Sequence, residues 1–185
     1  MNRILAVVVP ALLAAACTAP RAIYFGDDFS ALYRPSMVHA AAHEGKVPLA
    51  IRGNPFPDVD AERLAGATVA GMTRAPALWP IRLTTGDPGP RSVDHRFIIA
   101  YGEPRLGANG LCAAPDAPFE RGERIAATVA FCIGDRLVAT VRGRLLETAA
   151  MPEDAVFQSF LEGLTGALLP PHNPRLRPCG FLVGC

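Results

Sequence analysis

Two β-compatible runs, Ile125–Ile133 and Arg136–Arg144, stand on either side of Gly134-Asp135. A two-residue Gly-X connection between such runs favours a tight hairpin. No other feature constrains the fold as much, because it commits the chain to two antiparallel neighbours in one register. That register predicts Cys132 opposite Leu137, Phe131 opposite Val138 and Val129 opposite Thr140. Val129, Phe131 and Val138 then face a core. The other side of the hairpin is hardly more polar, as expected of a sheet covered on both faces.

The remaining elements follow from periodicity. Val47, Leu49 and Ile51 alternate with Pro48, Ala50 and Arg52, which reads as a strand, and Pro48 suggests an edge position. Asp60 can cap a helix through about Met72, with Leu64, Thr68, Gly71 and Met72 on one face. Trp79–Thr85 and Arg96–Tyr101 read as strands, the second with Phe97, Ile99 and Tyr101 on one side. Gly102–Pro118 reads as a long loop containing Cys112. A last helix is expected over Pro152–Leu169, with Phe157, Phe160, Leu161, Leu164 and Leu168 as its apolar face and Pro152, Glu153 and Asp154 at its start. Asp27–Glu44 has helix-like stretches broken at Pro35. The expected fold class is α+β: a mainly antiparallel sheet of about five strands with two or three helices packed on it.

The N-terminus reads as an export signal. Met1–Arg3 is a short basic start, and Ile4–Ala16 is an apolar run of thirteen residues interrupted only by Pro10. That is too short to span a bilayer, which takes about 20 apolar residues, and it fits a secretory leader. The stretch Leu12-Leu13-Ala14-Ala15-Ala16-Cys17-Thr18 resembles the lipobox of bacterial lipoproteins, with Ala14 where that pattern has Leu. The resemblance implies acylation of Cys17 and, with Thr18 following, retention at the outer membrane. Ordinary cleavage at Ala14-x-Ala16, giving a soluble periplasmic or secreted chain, is the alternative. The expected organisation is a signal peptide over 1–16, a lipidated Cys17 and tether over 17–26, and one domain over 27–185 with a Pro-rich tail.

Three patches, Val47–Phe56 (VPLAIRGNPF), Phe131–Gly143 (FCIGDRLVATVRG) and Leu168–Pro174 (LLPPHNP), together resemble a small family of bacterial lipoproteins whose motifs carry no assigned chemistry. The resemblance covers most of the chain after the leader and implies a periplasm-facing domain. It transfers no catalytic residue.

The chain has five cysteines. If lipid consumes Cys17, four remain in a compartment where disulfides persist. Cys179 and Cys185 enclose only Gly180–Gly184, a short loop that closes readily. That leaves Cys112 for Cys132, so the expected bridges are Cys112–Cys132 and Cys179–Cys185. The alternative is buried free thiols.

Of the 18 basic residues Arg3 leaves with the leader, so 17 face 17 acidic ones. That balance argues against a nucleic-acid partner, which needs a basic face. His39 and His43 share a helical face and could hold a metal, but no third ligand stands at a recognisable spacing, and two surface histidines explain them as well. Gly53-Asn54-Pro55-Phe56 is either a binding loop at a strand end or an ordinary turn with Phe56 packed inward. Asp27-Asp28 fits a solvated loop and Glu153-Asp154 a helix start. Ser30, Ser36, Ser92 and Ser159 lack a nucleophile-elbow setting. No cofactor is expected. The expected function is a non-catalytic accessory or partner-binding lipoprotein of the cell envelope, attached to the membrane by its lipid and able to hold another envelope protein. An envelope hydrolase with an unrecognised site, or a small-ligand or metal carrier, is the alternative.

Overall fold

The computed structural model describes residues 21–42, 44–85, 95–104, 107–113, 119–120 and 122–176. Strand β1 (Ala22–Phe29) leads to a short helix α1 (Met37–Ala41), strand β2 (Lys46–Arg52) and helix α2 (Ala61–Thr73). A 3-10 turn (Pro76–Leu78) precedes β3 (Arg82–Thr84) and β4 (His95–Tyr101). Two short strands, β5 (Glu103–Pro104) and β6 (Phe119–Glu120), enclose helix α3 (Gly107–Ala113). The hairpin β7 (Ala126–Ile133) and β8 (Arg136–Leu145) is followed by helix α4 (Ala155–Leu168).

The main sheet has six strands in the order β1-β8-β7-β4-β2-β3, and β5 and β6 form a separate pair. The fold is a mixture of helices and strands, as expected, but the sheet is mixed rather than mainly antiparallel. β2 runs parallel to both β3 and β4, whereas β1, β8, β7 and β4 alternate in direction. The parallel part arises because α2 carries the chain back after β2, so that β3 starts at the same end.

Both faces of the sheet are covered. On one, α2 and α4 pack over Phe97, Ile99, Tyr101, Val129, Phe131, Val141 and Leu145. All five residues of the expected α4 stripe are buried, as are Leu64, Thr68, Gly71 and Met72 of α2. Asp60 caps α2, its carboxylate accepting from the Arg63 N–H at 2.8 Å. Gly143 lets α4 come close: a Cβ there would lie 2.8 Å from both Leu164 Cδ2 and Phe160 Cε2. On the other face Ile98, Ala100, Ala130 and Cys132 form a smaller cluster with Leu111 and Cys112 of α3.

Several expectations need correction. The hairpin starts in the expected register, with Cys132 opposite Leu137, but slips by one at once: Phe131 faces Ala139 and Val129 faces Val141. Val138 is the extra residue of a bulge. Its carbonyl accepts from the Ser30 N–H at 2.8 Å, so the end of β1 holds the bulge in place. The segment read partly as tether and partly as helical, Ala22–Phe29, is a strand, because the run Ala22-Ile23-Tyr24-Phe25 pairs with Leu145–Arg142. β2 is internal, not an edge. Its pairing with β4 begins only at Leu49, so Pro48, which has no N–H, sits where β3 is its only neighbour in the sheet. Cys112 lies on α3 and not in a loop. α4 begins at Ala155, because Pro152 and Glu153 belong to the preceding turn. The Asp154 carboxylate closes that turn by accepting from the Ala150 and Met151 N–H groups at 2.7 and 3.1 Å. No described helix is long and apolar enough to cross a membrane.

Candidate functional site

The parallel strands β2 and β4 end side by side, and the loop after β2 turns over their carboxyl ends, the usual place for a crevice in a sheet with parallel strands. The turn depends on Gly53. Its φ is +72°, and a Cβ there would lie 2.6 Å from the Tyr101 carbonyl oxygen. Asn54 then ties the loop to itself: its amide donates to the Val59 carbonyl at 2.7 Å, and its Oδ1 accepts from the Phe56 N–H at 2.8 Å. Phe56 is buried edge-on against Phe157, with ring centroids 5.0 Å apart. These contacts match the ordinary-turn reading of the Gly-Asn-Pro-Phe motif.

Two clefts flank the loop. The larger, about 390 Å³, opens where β2 extends past β3 and exposes the strand edge from Leu49 to Arg52. Ala61, Leu64 and Ala65 of α2 form its apolar wall, and Arg52, Arg96 and Thr85 bring polar groups to it. Arg96 also reaches across to donate to the Cys112 carbonyl at 2.8 Å. The smaller cleft, about 190 Å³, lies between Gly53-Asn54-Pro55 and Glu123-Arg124. The polar side chains around the two clefts include the Arg52, Arg96 and Arg124 guanidiniums, the Asn54 amide, the Thr85 hydroxyl and the Glu123 carboxylate. The guanidiniums are groups that hold anions and carbonyl oxygens.

The titratable groups with displaced pKa values serve packing and turns. Tyr101 is buried, and burial pushes its hydroxyl well above the ordinary tyrosine range. The Thr68 hydroxyl donates to the Leu64 carbonyl at 2.7 Å, so in the 2.7 Å Thr68–Tyr101 contact Tyr101 is the donor. Burial likewise pushes Tyr33 up to about 12, and its hydroxyl donates to the Pro170 carbonyl at 2.9 Å. Arg63 donates through two nitrogens to Glu153 at 2.7 and 2.9 Å, and this holds the Glu153 carboxyl below its ordinary value. Two buried polar atoms, Arg142 Nε and Gln158 Oε1, have no hydrogen-bond partner among the described residues.

The residues singled out from sequence do not converge on one site. Cys112 and Cys132 form a disulfide, with Cα atoms 5.7 Å apart, tying α3 to β7. Cys17, Cys179, Cys185 and His43 lie outside the described residues. His39 is exposed on α1. Among the described residues no three His, Cys, Asp or Glu side chains gather as a metal site would need. Asp28 pairs with Arg175 at 3.4 Å. One surface went unnoticed in the sequence: Ile23, Tyr24 and Phe25 stand exposed on β1 at the edge of the sheet. Their β-branched and aromatic character was the available signal.

No protein-family model and no curated protein matches the chain. Among solved structures it is similar to two crystal forms of the PelC dodecamer from Paraburkholderia phytofirmans, one of them a leucine-to-methionine variant. Each is 13% identical with a TM-score of 0.41, covering 81% of this chain and 95% or 96% of the other.

Proposed function

We propose that this chain is an exported envelope lipoprotein, held at the membrane by lipid on Cys17, with a non-catalytic domain that binds a protein partner. The observation that carries the reading is the Cys112–Cys132 bridge, buried at both ends. Disulfides persist in oxidising compartments outside the cytoplasm, and an apolar leader ending at Cys17 is the route there. With Cys17 acylated and Cys112 joined to Cys132, the remaining cysteines are Cys179 and Cys185, an even set for a second bridge. Anchoring supports the binding role by raising the local concentration of the domain at a membrane surface.

The test is Cys17→Ala in the full chain. Membrane association and the diacylglycerol mass on the N-terminal peptide should both disappear. A wild-type protein already free in the periplasmic fraction would sink the anchor.

A further inference from the structure

Strand β1 presents an edge built for pairing. Ile23 and Phe25 are 48% and 44% exposed on one face of the strand, whereas Tyr24 between them leans on α4 with its ring stacked on Phe160. Among the described residues β1 has β8 as its only neighbour in the sheet. The Leu146 N–H donates to the Arg21 carbonyl at 2.9 Å, and the ladder runs without a shift from Ala22 to Phe25. Arg21, Ile23 and Phe25 therefore turn their backbone groups toward β8, while Ala22 and Tyr24 turn theirs outward. Free edges are usually blunted by Lys, Pro or a bulge. Ala22–Phe25 contains neither residue, and the bulge in β1 comes after Phe25. The opposite edge, β3, is only three residues long.

We propose that this edge pairs with β1 of a second copy, antiparallel, about a two-fold axis through Tyr24, so that two sheets become one. The charge pattern of the strand selects this occupant. Arg21 stands at one end and Asp27-Asp28 at the other, so an antiparallel copy brings unlike ends together and a parallel copy brings like ends together. Arg21 and Asp28 already have exposed partners, Glu147 at 3.2 Å and Arg175 at 3.4 Å. The charges therefore set orientation, and the apolar side chains supply the contact. Only registers that keep each side chain on its own face are allowed. The one centred on Tyr24 joins the outward backbone groups and sets Ile23 directly opposite Phe25 of the second copy, at a position without hydrogen bonds where side chains come closest. The contact is isologous and closes on itself.

This inference names the partner in the proposed function and rests on it. Both lipid anchors reach one membrane when the two-fold axis stands along the membrane normal. The test co-expresses two differently tagged full-length chains, Ile23→Cys and Phe25→Cys. Neither side chain belongs to the core, so both variants keep the fold. Non-reducing gels of isolated envelopes should show a mixed disulfide dimer several-fold above the dimer formed by either variant alone. Equal yields from single variants, no mixed dimer, or a disulfide to a chain of different mass would overturn the pairing. The same pair in a Cys17→Ala background separates the two readings, since fractionation reports the anchor and the mixed disulfide reports the edge.

Discussion

The two faces of the sheet are both apolar, yet they are covered by different means. One lies under α2 and α4, two helices with long buried stripes and a cluster of aromatic rings around Phe157. The other lies under α3, a helix of seven residues whose Leu111 and Cys112 join the cluster. Two further ties hold α3 to the sheet, the Cys112–Cys132 bridge and the Arg96 bond to the Cys112 carbonyl. A wide apolar layer holds itself, and a narrow one is held by covalent and charged ties to the sheet.

That contrast can be broken most directly at its stronger side. Phe157→Ala removes the ring that touches Phe56, Tyr101 and Phe160. It should cost about 3–5 kcal/mol in urea denaturation. A loss below about 1 kcal/mol would mean that the aromatic cluster is not what supports this face.

The weaker side is tested by the double variant Cys112→Ala, Cys132→Ala, expected to cost roughly 2–4 kcal/mol. Hydrogen exchange gives the sharper reading. Amides of α3 should lose protection far more than those of α2 and α4. Uniform loss across all three helices would show that the faces are not held independently.

The smallest effect is expected at one hydroxyl of the main core, that of Tyr33. Tyr33→Phe loses the hydrogen bond to Pro170, about 0.5–1.5 kcal/mol. It should also change the alkaline behaviour. Burial raises the folded Tyr33 pKa from 10.0 to about 12, so the folded state keeps a proton that the unfolded chain releases. The associated stability is complete below about pH 10 and is lost as pH rises toward 12. The variant should therefore lose less stability over that window than the wild type. Tyr101, also raised, leaves part of the slope in both. Identical slopes would remove Tyr33 from the account.

How much of this was legible depended on whether a neighbour or the chain itself decided the structure. α4 and the capped start of α2 carry their own signals, a continuous stripe in one and Asp60 in the other. β4 places Phe97, Ile99 and Tyr101 on the face under the long helices as expected, while Ile98 and Ala100 between them are buried on the other. α3 has no such pattern: Gly107-Ala-Asn-Gly-Leu-Cys-Ala holds two glycines, and its helix depends on a bond to a residue twenty positions later. The parallel pairing of β2 is non-local and left no periodic mark. Around the candidate site, Gly53 and Asn54 were recognisable as turn formers. The cleft beside them comes from the short reach of β3, which no local residue signals.

The bulge at Val138 changes what position means along β8. Before it, odd-numbered Leu137 belongs to the α3 side; after it, odd-numbered Ala139, Val141 and Leu145 belong to the helical-layer side. The strand is two phases of one rhythm joined at a single residue. A substitution two places along thus stays on the same side within each phase but crosses the sheet when Val138 intervenes. Removing one residue at the join would put the two halves of β8 in step, whereas removing one beyond it would invert everything that follows. The chain keeps, at one point in the sheet, a place where its length can change without its faces being exchanged.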